Sequence, residues 1–239
     1  MQLSEMKDAK RIFANEGMVL IHGFLEPELL KVLQYYLQLK FFIRKDYHVE
    51  YPEEGGVVLP WNRADYGDSV GESVLLSKLE NVEFITDQKL YPTYSHCRLY
   101  NEGQYLKKHL DRPSCEVSLT VCTMKNVSWP IFMDEAKQLE CELEEGDAVL
   151  YYGQQKVHWR NPMPKGGQQI QLLLHYVNQA NPNSEVLKWD GRDGIGYARD
   201  GRRIMTSDPE RFKAYHELHE TFPLEQRKLQ DVRDLQFTK

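Results

Sequence analysis

The feature that most restricts what this chain can fold into is a two-residue alternation repeated in three separate segments. In 94–100, Tyr94, His96, Arg98 and Tyr100 alternate with Ser95, Cys97 and Leu99. In 116–122, Ser118, Thr120 and Cys122 alternate with Val117, Leu119 and Val121. In 169–176, Gln169, Gln171 and His175 alternate with Ile170, Leu172, Leu174 and Tyr176. Successive side chains of a strand point to opposite faces, so each segment reads as a strand with one polar and one apolar face. The polar faces either meet solvent or line a cavity while helices cover the apolar side. Amphipathic helices at both ends of the chain need a surface to pack on, and the apolar faces would suit them.

Those helices are read from local signals. Ser4 is read as an N-cap and Gly17 as the stop of the first helix. Met18 to Leu25 reads as a short buried strand. Pro27 opens a second helix with Leu29, Leu30, Leu33, Tyr36 and Leu37 on one stripe. Residues 46–75 are rich in Gly, Asp and Pro, with Trp61 in the middle, and read as a long connection or lid. From about 91 to 178, short β-rich runs alternate with turns, the pattern of a sandwich or barrel. Ser207-Asp208-Pro209-Glu210 reads as a capping box, opening a helix through Phe212, Tyr215, Leu218 and Phe222, and a further helix is expected from Leu224 to Leu235. No linker separates these parts. The expectation is one domain over 1–239, with a β core at 91–178 and helical cover from 1–45 and 207–235.

Composition narrows the class. With 30 Lys+Arg against 36 Asp+Glu the net charge is −6, which counts against general nucleic-acid binding. No apolar run approaches the ~20 residues of a membrane span. The opening MQLSEMKDAKR lacks the apolar stretch of a signal peptide. The four cysteines, Cys97, Cys115, Cys122 and Cys141, form no CxxC pair. A reducing compartment and a cytoplasmic location are expected.

His109-Leu110-Asp111 follows the first alternating strand, and His158 lies 47 residues beyond Asp111, just after the run DAVLYYG. His-x-acid alone is cheap, and His48-Val49-Glu50 is a second instance, but it sits in the irregular segment before the β region. Two imidazoles and one carboxylate can occupy one face of an octahedral metal and leave the rest open, the ligand set of non-haem Fe(II) oxygenases.

Residues 94–177 resemble the Fe(II)/2-oxoglutarate-dependent dioxygenases, of the prolyl 4-hydroxylase-like kind. The stretches that carry the resemblance are RLYNEGQYLKKHLD, CEVSLTVCTM, LEEGDAVLYYG, HWRNPMPKGG and QIQLLLHYV, in that order. The resemblance implies an α+β fold with a double-stranded β-helix core (jelly-roll, cupin-like) flanked by N- and C-terminal helices. It implies metal ligands at His109, Asp111 and His158, with Fe(II), 2-oxoglutarate and O2 as cofactor and co-substrates. It also implies hydroxylation of an unactivated C–H in a peptidyl (prolyl-like) or small-molecule substrate, with release of succinate and CO2.

The chain departs from that family at one place. The family's usual Arg or Lys on the last strand, which meets the C5 carboxylate of 2-oxoglutarate, is replaced by Gln169, with Gln171 on the same face. Glutamine can hydrogen-bond a carboxylate but cannot neutralise it. The replacement cation is sought first in Arg98, which shares a face with Tyr100, a position that lines the family's co-substrate site. Arg160 is the second candidate, sharing parity with His158. Arg112 is the third, as cation or as support for Asp111. His96 and His175 read as hydrogen-bonded packing residues, Cys122 as a small buried thiol, and Trp159 as packing. Trp61, Asn62 and Arg63 are candidates for touching substrate. Ala198 to Arg203 reads as a solvated loop. Two rival functions are a non-catalytic jelly-roll binding module, favoured by the missing cation, and oxidative demethylation of nucleic acid, disfavoured by the net charge.

Overall fold

The structure is a computed structural model that describes residues 3–50, 58–60, 62–196 and 205–220. Its larger sheet is built from β1 (Met18–Ile21), β2 (His48–Glu50), β4 (Asn62–Tyr66), β5 (Leu90–Asn101), β7 (Val117–Lys125), β10 (Ala148–Tyr152) and β12 (Gln168–Asn178). Their spatial order is β1-β10-β7-β12-β5-β4-β2. The smaller sheet runs β3-β6-β11-β8-β9, from β3 (Val58–Leu59), β6 (Tyr105–His109), β8 (Ile131–Met133), β9 (Leu139–Cys141) and β11 (His158–Arg160). Every pairing is antiparallel. The fold class is α+β, a jelly-roll core with flanking helices.

The three alternating segments are neighbours in space. β12 lies between β5 and β7, pairing Gln169 with Tyr100, Gln171 with Arg98 and His175 with both Tyr94 and Ser118. Their polar faces therefore merge into one inner surface. The opposite faces, including Cys97, Leu99, Leu119, Val121, Leu172 and Leu174, share one buried cluster with residues of four helices. Those helices are α1 (Leu3–Glu16), α2 (Pro27–Gln38), α3 (Ser69–Ser77) and α4 (Leu79–Thr86). Phe13, Leu33, Leu37, Leu75, Val82 and Ile85 are the buried anchors. Each contributes about 1.5–3 kcal/mol relative to exposure, enough to hold the cover on the sheet and leave the polar side inward.

Several sequence expectations change. Asn62–Tyr66 is not part of a lid; it pairs with β5 inside the larger sheet, and β2 pairs with it in turn. The sheet also takes β1, so the β core reaches well beyond 91–178. The segment 69–86 is helical because Asp68 accepts from the N–H groups of Val70 and Gly71 and caps α3. Ser4 lies inside α1 and does not cap it. Gly17 does end that helix, at φ +65° with its N–H on the Phe13 carbonyl. α2 continues as a π-helix over Leu39–Arg44 before Lys45 turns left-handed.

At the other end, α5 (Ser184–Leu187) is followed by a helix over residues 209–220. Its cap is Asp208, whose carboxylate accepts from the N–H groups of Glu210 and Arg211, while Ser207 bonds to Asp193. Tyr215 packs with Val177 and Leu187. Trp61, Ala198 to Arg203, Phe222 and the expected Leu224 to Leu235 helix lie outside the described residues.

Candidate metal centre

His109 ends β6 and His158 opens β11, and the antiparallel ladder sets them directly opposite each other. Their ring centroids are 4.1 Å apart. Each ring is oriented by the same device. His109 Nδ1 donates to the Lys107 carbonyl at 2.8 Å and His158 Nδ1 to the Lys156 carbonyl at 3.0 Å. A carbonyl only accepts, so each Nδ1 carries the proton and each Nε2 presents its lone pair.

Both Nε2 atoms face one carboxylate oxygen. Asp111 Oδ1 lies 3.6 Å from His109 Nε2 and 3.5 Å from His158 Nε2. With metal–ligand bonds of about 2.1 Å, two ligands at right angles stand about 3 Å apart, so the observed spacing is close to a bound one. Burial, and for His109 also the neighbouring His158, pushes His109 down to about 3; burial pushes His158 down to about 4. Both imidazoles are thus neutral donors near pH 7. Burial raises Asp111, the direction expected of a carboxylate without its cation. The donor set fits a divalent transition metal, with the remaining positions left to other ligands.

Asp111 is held from behind. Its backbone N–H donates to the Gly153 carbonyl at 2.8 Å. Its Oδ2 accepts from Ser118 Oγ at 2.8 Å, and Ser118 accepts from His175 Nδ1 at 2.9 Å. His175 is held neutral, well below the usual imidazole range, by burial and by the Arg112 charge. The hydrogen-bonded packing role read for His175 thus acquires a target: through Ser118 it aims the candidate ligand carboxylate of Asp111. Ser118→Ala is expected to weaken metal affinity about 10–100-fold, read by competition against a chromogenic chelator.

No family model and no curated protein matches the chain. Solved structures do. A prolyl 4-hydroxylase of Pseudomonas putida superposes with a TM-score of 0.56 at 15% identity, over 71% of this chain and 98% of its own. The α-ketoglutarate-dependent epimerase SnoN of nogalamycin biosynthesis, in complex with Fe3+, α-ketoglutarate and nogalamycin RO, gives 0.61 at 11% identity, over 88% and 98%. A Trichoplax adhaerens prolyl hydroxylase in complex with a hypoxia-inducible-factor peptide fragment gives 0.55 at 12%, over 74% and 94%. The fold is that of the Fe(II)/2-oxoglutarate oxygenases.

Within that oxygenase fold the three arginine candidates separate. Arg112 grips Asp190 with two N–H groups at 2.8 Å each, donates to Tyr215 Oη at 2.7 Å and stacks 4.6 Å over Tyr94. Its fork is thus already filled by a carboxylate. Asp190 is fully buried and also accepts from the Tyr66 and Tyr215 hydroxyls at 2.6 Å each. Arg98 is half-buried on the inner face of β5, and its charge acts on His109 and His175 at the metal end. Arg160 is buried and lies over the Trp129 ring at 4.6 Å. Tyr100 packs against the same indole, ring centroids 5.0 Å apart. Gln169 and Gln171 are both buried on β12.

The remaining sequence candidates lie elsewhere. Trp159 stacks on Phe132 at 5.5 Å under the Lys108 ammonium, a packing role. His48 pairs with Ala64 in the larger sheet, away from the His109, Asp111 and His158 group. Asn62 is buried within β4, and the Arg63 guanidinium lies over Tyr47. His96 packs edge-on against Tyr66 and Tyr94. All four cysteines are buried free thiols. No helix among the described residues is long and apolar enough to cross a membrane. Sequence reasoning missed Asp190 and Gly153. Only the loop composition around Asp190 and the glycine closing DAVLYYG hinted at them.

Proposed function

We propose that this chain is an Fe(II)/2-oxoglutarate-dependent oxygenase that hydroxylates an unactivated C–H of a peptidyl (prolyl-like) or small-molecule substrate, with release of succinate and CO2. The observation that carries the proposal is the preset triad: two Nε2 lone pairs and one carboxylate oxygen converge, each fixed by a second hydrogen bond. His109, Asp111 and His158 would hold the metal. Bound Fe(II), with 2-oxoglutarate and O2, supplies the oxidising chemistry, and the protein contributes binding, orientation and exclusion of water. The carbonyls of Lys107 and Lys156 keep the imidazole tautomers, and Ser118 keeps one carboxylate oxygen turned to the site. The merged polar faces of β5, β7 and β12 form the inner surface of the larger sheet, with Tyr100, Arg98, Arg160, Gln169 and Gln171 as candidate co-substrate contacts. The substrate range follows the similar structures, which include prolyl hydroxylases and the nogalamycin epimerase.

The test is anaerobic addition of Fe(II) and 2-oxoglutarate, watching for the weak visible charge-transfer band, followed by succinate assay under O2. Both signals are expected in the wild type. Asp111→Ala is expected to lose them, with metal affinity reduced more than about 100-fold, since it removes a direct ligand. Absence of band and succinate from the metal-loaded wild type would overturn the proposal in favour of a non-catalytic jelly-roll binding module.

A further inference from the structure

Arg160 is a buried cation on which the Glu142 carboxylate acts only from beyond ion-pair distance. It is 2% exposed. Of its three guanidinium nitrogens, Nη1 donates to the Trp129 carbonyl and Nη2 is buried without a partner. The contrast with its fellows is sharp. Arg112 meets Asp190 at 2.8 Å, and Arg192 meets Glu72 at 2.6 Å. Among the described residues no carboxylate comes within ion-pair distance of Arg160. An enclosed guanidinium without a counter-ion is strongly unfavourable unless something else supplies the anion.

Two carboxamides on the facing sheet share the deficit. Thr120 Oγ donates to Gln171 Oε1 at 2.9 Å, which fixes the amide and leaves Nε2 buried without an acceptor. Gln169 sets its amide Nε2 3.2 Å from Cys122 Sγ and leaves Oε1 buried and unmatched. Burial pushes the Cys122 thiol up to about 11, so it is an S–H donor at neutral pH. A thiol donor is best met by the amide oxygen, and that orientation turns the Gln169 NH2 toward the unmatched side. Arg160 Nη2 and Gln171 Nε2 are unmatched donors as they stand, and exchanging the two ends of the Gln169 amide adds a second NH2 group. That is a site for an anion.

Resting on the oxygenase reading above, we propose that Arg160, reaching across from the smaller sheet, grips the C5 carboxylate of 2-oxoglutarate with Gln169 and Gln171. Arg160 stands two residues beyond the metal ligand His158 on the same strand, a step of roughly 6.5–7 Å. The keto carbon of 2-oxoglutarate lies three bonds, roughly 4.5 Å of chain, from its C5 carboxyl carbon. With its keto end at the metal, the molecule places its far carboxylate beside the next inward side chain of β11. The charge that Gln169 cannot provide on β12 thus comes from the opposite wall.

The experiment is calorimetric titration of the full chain loaded with Ni(II), which does not turn over, with 2-oxoglutarate and with 2-oxobutyrate, which lacks the far carboxylate. Arg160→Gln is expected to weaken 2-oxoglutarate about 100-fold while Ni(II) and 2-oxobutyrate affinities stay within about threefold. The double variant Arg160→Gln/Gln169→Lys is expected to recover most of the loss by returning the cation to the facing strand. If Arg160→Gln does not fold, Arg160→Lys keeps the charge without the fork and is expected to lose about 10-fold for 2-oxoglutarate only. Unchanged 2-oxoglutarate affinity in the Arg160 variants, with loss in Arg98→Gln instead, overturns the proposal and leaves the oxygenase reading standing. A wild type that binds Ni(II) but not 2-oxoglutarate overturns the oxygenase reading itself.

Discussion

Gly153→Ala is expected to disable the metal site although Gly153 is not a ligand. A methyl group built at Gly153 would stand 2.5 Å from Asp111 Oδ2 and 2.8 Å from Asp111 Cβ, and it would overlap the Cys115 carbonyl. Glycine is needed here for space, since its φ lies outside the left-handed region. Neither obstacle can simply swing aside. The Cys115 carbonyl is backbone and accepts from Ser118 Oγ at 3.1 Å. The Asp111 N–H is tied to Gly153 itself at 2.8 Å. The new methyl must therefore push the carboxylate off the two imidazoles. Metal affinity is expected to fall by about 100-fold or more. Stability is expected to fall by about 1–3 kcal/mol from overpacking. Metal titration and thermal melting check both. An affinity within twofold of wild type would show that the carboxylate does not lean on this contact.

Arg192→Met is expected to be the most destabilising single substitution in the C-terminal half. Arg192 is completely buried and donates to Glu72 at 2.6 Å, to the Thr93 carbonyl at 2.9 Å and to the Trp189 carbonyl at 2.8 Å. Glu72 is 1% exposed. Removing one partner of a buried pair leaves the other charge stranded, a cost of about 3–5 kcal/mol. For a chain of this size that corresponds to a fall of roughly 6–20 °C in melting temperature. Adding Glu72→Met to Arg192→Met is expected to return a large part of it, because two apolar residues can replace such a pair. A calorimetric scan of the two variants against wild type settles the sign. The loss should also reach the candidate metal centre, since Arg192 lies two residues from Asp190, which anchors Arg112 next to Asp111.

Much of the core was readable because strand parity is a local property. The alternation at 94–100, 116–122 and 169–176 placed Arg98, Ser118 and Gln169 on polar faces, and those faces line one interior. Segments with weaker periodicity were misread. Asn62–Tyr66 looked like loop because Asn, Arg and Asp interrupt it, yet pairing with β5 overrides that local preference. The helices over 69–86 start at the Asp68 cap, a single-residue signal set inside a Gly- and Asp-rich stretch. The candidate ligands were legible by type and order. The Ser118 and His175 hydrogen bonds behind Asp111 were not, because these residues are 7 and 57 positions from their partners.

The sequence by itself determined the chemistry on offer: two imidazoles and a carboxylate as candidate metal ligands, three candidate arginines, and a glutamine where the family resemblance implies a cation. It also determined which strand faces are polar, because a two-residue period follows from backbone geometry alone. Only the tertiary structure decided which arginines already hold a carboxylate. Asp190 reaches Arg112 across 78 residues and Glu72 reaches Arg192 across 120. Charge pairing acts through space over a few ångströms, whatever the separation along the chain. No local pattern therefore distinguishes an arginine that is neutralised from one, like Arg160, that still lacks its anion.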